Sequence, residues 1–123
     1  MLIIKKSWAT PSHHDDIDIN SLSEPKHILD DGCSIGISTE YLHKDYPNAY
    51  VDGIDLCPHF LGVAQYRSKS EKKPIHYFHA NAEKIPKKDQ SYDLIVCNFL
   101  FHELPKDASQ TILIELHRLL KNN

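Results

Sequence analysis

Short apolar runs alternate with segments of helical period along most of this chain. His27 to Asp30, Ala49 to Ile54, Ile75 to His79 and Asp93 to Cys97 are brief, rich in Ile, Val, Leu and Tyr, and read as strands. Between the first two, Ile37, Tyr41 and Leu42 recur on one helical face until Pro47 stops the run. Between the next two, Pro58 suits a first helical position and Phe60, Leu61, Val63 and Ala64 supply an inward face. The last segment has the clearest pattern. Asp107 and Gln110 are spaced as a capping box, and Ile112, Leu113, Leu116, Leu119 and Leu120 form an apolar stripe. Strands alternating with helices predict an α/β fold with a parallel sheet. Residues 1–25 read as a polar lead-in and 26–123 as the folded unit, because Pro11, Pro25 and His13-His14-Asp15-Asp16 interrupt any period. Ser68 to Pro74, with three lysines and a glutamate, reads as a solvated loop.

Composition narrows the surroundings. A length of 123 residues makes one domain, and a net charge of -3 gives no electrostatic reason to expect nucleic acid or an anionic membrane as partner. The apolar start ends at Lys5 and Lys6, well short of the roughly 20 residues of a membrane span. Three cysteines without a CxxC pair fit a reducing compartment, so a cytoplasmic location is expected. Cys33, Cys57 and Cys97 all fall at strand ends, where small buried hydrophobes are expected rather than a metal site. Adjacent His13 and His14 in a polar lead-in are expected to be solvated, so no metal is assigned.

Candidate chemistry centres on Ile28-Leu29-Asp30-Asp31-Gly32-Cys33-Ser34-Ile35-Gly36, an apolar strand ending in acid and running into a tight glycine turn before a helix. A ligand on Gly32 to Gly36 meets free amide groups at the positive end of that helix. A second acidic strand end, Asp55, follows 25 residues after Asp30, near the spacing at which such folds place a carboxylate on ribose hydroxyls. Together they suggest a nucleoside cofactor.

From about Lys26 to Lys121 the chain resembles the first half of a class I S-adenosylmethionine-dependent methyltransferase. Ile28-Leu29-Asp30-x-Gly32-Cys33-x-x-Gly36 is similar to that family's first motif, and Gly53-Ile54-Asp55-Leu56-Cys57-Pro58 to its ribose loop. Ala80-Asn81-Ala82-Glu83-x-Ile85-Pro86 resembles the adenine loop. Ser91 to Asn98, followed by Phe101-His102-Glu103-Leu104-Pro105, resembles the fourth strand and the loop over the methionine part. The resemblance implies a Rossmann-like sheet of about four strands in the order 3-2-1-4 and S-adenosyl-L-methionine as cofactor. It implies cofactor contacts from Asp30, Gly32, Cys33, Gly36, Asp55, Leu56, Asn81, Ala82 and Asn98. Asp55 takes the ribose, Asn81 and Ala82 the adenine, and Asp30 with the turn amides the amino-acid end. His102 is a weak candidate for an acid or base, and Glu103 beside it is the other. The methyl acceptor is unassigned.

Two positions depart from the family. Ser34 stands where a glycine is usual, and Asp31 where an apolar residue is usual. A carboxylate beneath a sheet needs a partner or is driven toward its protonated form. The family also continues beyond the point matching Asn123 into a seven-stranded sheet, so the reading includes a truncated or inactive copy, or the cofactor-binding half of an assembly. On that reading the edge beside the fourth strand is open, the final apolar stripe is only partly covered, and self-association through the edge is expected. Other functions are weighed on the same residues. Gly32-Cys33-Ser34-Ile35-Gly36 also spells the hydrolase elbow G-x-S-x-G on a strand-turn-helix, but the several earlier strands of a hydrolase are not in the lead-in and no acid-then-histidine pair stands out downstream. A nicotinamide-binding turn calls for glycine at 34 and 37, where this chain has serine and isoleucine.

Overall fold

The computed structural model describes residues 2–4, 24–70, 75–99 and 101–122. Among the described residues five strands and three α-helices follow one another: β1 (Leu2–Ile4), β2 (His27–Asp31), α1 (Ile37–Asp45), β3 (Tyr50–Asp55), α2 (Pro58–Ser68), β4 (His76–His79), β5 (Leu94–Cys97) and α3 (Lys106–Leu119). A 3-10 turn, Phe101–Glu103, precedes α3. The sheet order is β1-β5-β2-β3-β4, so the four parallel strands stand as the alternation predicts. His13 to Asp16, like the loop residues 71–74, lie outside the described residues.

The fifth strand is the main correction. Leu2–Ile4 pairs antiparallel with β5, Leu2 opposite Cys97 and Ile4 opposite Ile95, which makes the sheet mixed. The edge beside β5, expected to be bare, is therefore covered over three residues, and the opening residues of the lead-in belong to the sheet. Among the described residues no helix is long and apolar enough to cross a membrane.

Strand alternation sends side chains to two cores. On one face Leu29, Ile54, Ile95 and Cys97 meet Ile112, Leu116, Leu119 and Leu120, and all of these side chains are buried. The expectation that the stripe is only partly covered is thus corrected; only Leu113, at 44 % exposed, turns outward. On the other face Ile28, Val51 and Leu94 meet Leu61 and Ala64 of α2. Phe60 and Val63, expected inward, are 42 % and 37 % exposed and lie outside the buried core. In α1 the buried residue is Thr39, whereas Ile37 and Tyr41 face outward. The capping box is also corrected: Pro105 precedes the first turn of α3, and Asp107 lies inside it without capping.

The far end of α3 is tied down by one side chain. Arg118 donates to both oxygens of Glu115 at 2.6 and 3.0 Å, to Asp89 at 2.8 Å, and to the Lys87 and Ile85 carbonyls at 2.8 and 3.1 Å. Glu115 in turn accepts the Ile85 amide, and its carboxyl is held below the usual range first by Arg118. Arg118→Ala removes five hydrogen bonds to two carbonyls and two carboxylates, and the Ile85 carbonyl and Glu115 keep only the Lys87 and Ile85 amides, so we expect a loss of about 2 kcal/mol. Thermal melts of Arg118→Ala and Arg118→Lys check this, and an unchanged midpoint for the alanine variant refutes it.

Candidate functional site

Gly32 to Gly36 turns the chain sharply because two of its residues are glycines in the left-handed region, Gly32 at φ +81 and Gly36 at φ +94. The Gly32 and Cys33 amides both donate to the Ile54 carbonyl at 2.9 Å, which pins the turn across the ends of β2 and β3. Ser34 sits at φ 53 in the same region, which explains why glycine is the easier residue there. Its amide donates to Asp55 Oδ2 at 2.9 Å, and the Cys57 amide donates to Oδ1 at 2.9 Å. Two backbone donors thus fix the Asp55 carboxylate at the end of β3, with acceptor capacity left over on both oxygens.

Gly36 is also a contact point. A Cβ there falls 2.5 Å from Tyr77 Oη and 3.0 Å from Ala64 Cβ. Gly36→Ala combines that overlap with a strained φ, and we expect it to cost about 2 to 4 kcal/mol. Adding Tyr77→Phe removes the nearest atom and should recover part of the loss in a thermal melt; no recovery would place the whole cost on the backbone.

Asp30 holds the turn from behind. It is fully buried, accepts the Ser38 and Thr39 hydroxyls on Oδ2 at 2.7 Å each, and accepts Asn98 Nδ2 on Oδ1 at 2.7 Å. Burial raises its pKa, opposed by these three hydrogen bonds. Thr39 is the inward residue of α1 for this reason: the helix start serves a carboxylate rather than an apolar core. Asn98, anchored also through its backbone amide to the Asp31 carbonyl at 3.0 Å, links β5 to the turn.

Two depressions meet at Gly32. One, of about 240 Å³, is walled by Asp31, Asp55, Leu56, Asn81, Ala82, Glu83, Phe99, Leu104, Ala108 and Ile112 among others. The other, of about 320 Å³, lies over the turn and is lined by Gly32, Cys33, Ser34, Ile35, Ile37, Ser38 and Asn98. The expected site residues are thus gathered at the C-terminal ends of the strands, with Asp30 and Gly36 shaping the turn beneath. Asn81 Oδ1 accepts the Glu83 amide at 2.9 Å, so its side chain also orders the segment after β4. His102 lines neither depression; it is 78 % exposed and 3.9 Å from Glu103. A larger hollow of about 570 Å³ lies along the outer side of α1, bordered by the Glu40–Arg67 ion pair, away from the strand ends and their chemistry.

Sequence reasoning missed Phe99, Leu104, Ala108 and Ile112, the apolar side of the first depression. Of these Leu104 stood in the Phe101 to Pro105 motif and Ile112 in the stripe on α3, whereas Phe99 and Ala108 carried no signal. Asp31 stood out as a misplaced acid, and in the structure it is 1 % exposed with Oδ2 lacking a hydrogen-bond partner among the described residues. Burial first, then Asp30 and Asp55, push its pKa up to about 7. The buried thiols Cys33 and Cys97 are raised to about 12 and about 11, chiefly by burial, so neither is a ready nucleophile at neutral pH.

A family profile described as a methyltransferase domain matches residues 28–123. The chain belongs to this methyltransferase family. It is 34 % identical over 103 residues to a malonyl-[acyl-carrier protein] O-methyltransferase of Halalkalibacterium halodurans, covering 81 % of this chain and 37 % of that protein. A ubiquinone biosynthesis O-methyltransferase of Aromatoleum aromaticum is 33 % identical over 100 residues, covering 80 % of this chain and 42 % of the relative. Among solved structures, an S-adenosylmethionine-dependent methyltransferase from Aquifex aeolicus superposes with a TM-score of 0.68 at 30 % identity, covering 78 % of this chain and 51 % of that one. The chain spans about 40 % of the length of the curated relatives it matches. In this methyltransferase domain the glycine turn follows the end of β2, and Asp55 is the last residue of β3.

Proposed function

We propose that this chain binds S-adenosylmethionine at the C-terminal ends of β2, β3 and β4, and that it is the cofactor-binding part of a methyltransferase. The observation that carries the reading is Asp55. Its carboxylate is fixed by two amides and borders a depression that meets the glycine turn, as recognition of a ribose diol requires. The residues fit the rest of the cofactor. Leu56, Ala82, Phe99, Leu104 and Ile112 offer apolar surface for a purine, and the open depression over the turn lies at the uncapped start of α1, suited to a carboxylate.

When bound, the cofactor supplies a methyl group on a sulfonium, which needs positioning more than activation. Ser38, Thr39 and Asn98, gathered on Asp30, hold the turn rigid against it. Titration with S-adenosylhomocysteine by calorimetry tests the reading. We expect saturable one-to-one binding, and no heat across a broad concentration range would defeat it.

A further inference from the structure

We propose that Asp31 makes this site discriminate by charge, favouring the sulfonium of S-adenosylmethionine over the neutral thioether of S-adenosylhomocysteine. The inference rests on the cofactor reading above and concerns a residue that the family motif does not use. Asp31 pairs in register with Ile54 on β3 and Cys97 on β5, both wholly buried in the core under α3. In-register neighbours of a parallel sheet share a face, so Asp31 is an acid on an otherwise apolar surface. It also belongs to the wall of the depression assigned to the nucleoside.

The charges around it are of one sign. Asp30 on its own strand and Asp55 on β3 both act on it as like charges, and Glu83 after β4 lines the same wall. β5 presents the Cys97 thiol, α3 presents Ala108 and Ile112, and the turn before α3 presents Leu104. His79, whose ring bonds the Leu56 carbonyl at 3.0 Å, stands behind that wall. No lysine or arginine lines the depression among the described residues. A buried carboxylate with an unpartnered oxygen, with two like charges acting on it and no cation lining the same depression, is a site that a cation completes.

The two ligands share the adenosine and the amino-acid chain and differ by the methyl group on sulfur and the positive charge it brings; the methyl's own contacts do not vary with pH, so the pH dependence isolates the charge. A positive charge nearby favours the ionised form of Asp31, so the cation displaces a proton from the carboxyl to solvent while the neutral thioether does not. With Asp31 titrating near neutrality, the preference for S-adenosylmethionine should grow with pH.

Calorimetry on the full chain tests this with both ligands at pH 5.5 and pH 8.5, each in two buffers of different ionisation enthalpy. We expect the affinity ratio to shift toward S-adenosylmethionine at the higher pH, about tenfold for each unit by which the cation lowers the acid. Near pH 7 we expect proton release with S-adenosylmethionine beyond that seen with S-adenosylhomocysteine. Asp31→Asn and Asp31→Leu should flatten both signals while still binding S-adenosylhomocysteine, which separates Asp31 from His79. A ratio independent of pH with equal proton counts in the unmodified chain overturns the inference whatever the variants do, as does a pH-dependent ratio that survives in Asp31→Asn. Binding of neither ligand removes the cofactor reading itself, and the inference with it.

Discussion

Asp55→Ala is expected to reduce S-adenosylhomocysteine affinity by two to three orders of magnitude, whereas Asp52→Ala leaves it nearly unchanged. Loss of two hydrogen bonds to a charged acceptor is worth about 3 to 4 kcal/mol, and about 1.4 kcal/mol is a factor of ten in affinity. Asp52 serves as the control because it is three residues away on the same strand but engaged elsewhere. Its Oδ2 accepts the Tyr92 hydroxyl at 2.7 Å, with His76 and Lys87 at 3.4 and 3.9 Å. Removing it leaves a buried phenol without its acceptor, so the expected cost is in the thermal midpoint. Asp55→Ala also frees the Ser34 and Cys57 amides, and a melt beside the titration separates a loosened turn from a lost ribose contact. Equal affinity losses for the two variants would show that general charge, and not ribose recognition, was being measured.

What was legible in the chain follows from how local each determinant is. The four parallel strands and the glycine turn announce themselves through contiguous apolar runs and through glycines, whose φ angles only a few residues adopt. β1 does not, since three apolar residues become a strand only through pairing with β5, more than 90 positions away. Helix α1 misled for a different reason. Of Ile37, Tyr41 and Leu42, which suggested an inward face, only Leu42 packs on the core; buried Asp30 demands hydroxyl donors, so Thr39 turns inward while Ile37 and Tyr41 turn out. Satisfaction of one buried carboxylate outweighed the hydrophobic period. The start of α3 was misjudged because Asp107 and Gln110 match a local spelling, while Pro105 fixes the entry one residue before the first turn. The Arg118 tie was invisible, since two of its partners are backbone carbonyls, which have no residue signature.

Asp31→Leu is expected to stabilise the chain, and to do so more at pH 8 than at pH 5. The ordinary value for this carboxyl is 3.8, and in the folded chain it lies at about 7. Below the lower value both states are protonated and the acid carries no electrostatic cost. Between the two, the unfolded chain is ionised while the folded chain must hold a proton, so stability falls as pH rises through that window and the full penalty stands above it. A displacement of that size corresponds to about 4 kcal/mol at pH 8 and to less than half of it at about pH 5. For a domain of this length the gain at pH 8 amounts to a rise on the order of 10 °C in the thermal midpoint. Leucine suits the site because Leu29, Ile54 and Cys97 already share that face. Melts of both proteins at the two pH values check the expectation, and an equal gain at both would assign the effect to packing rather than charge. If the stabilised variant also loses its preference for the sulfonium, the acid that weakens the fold is the one that reads the ligand's charge, a trade between stability and binding at a single residue.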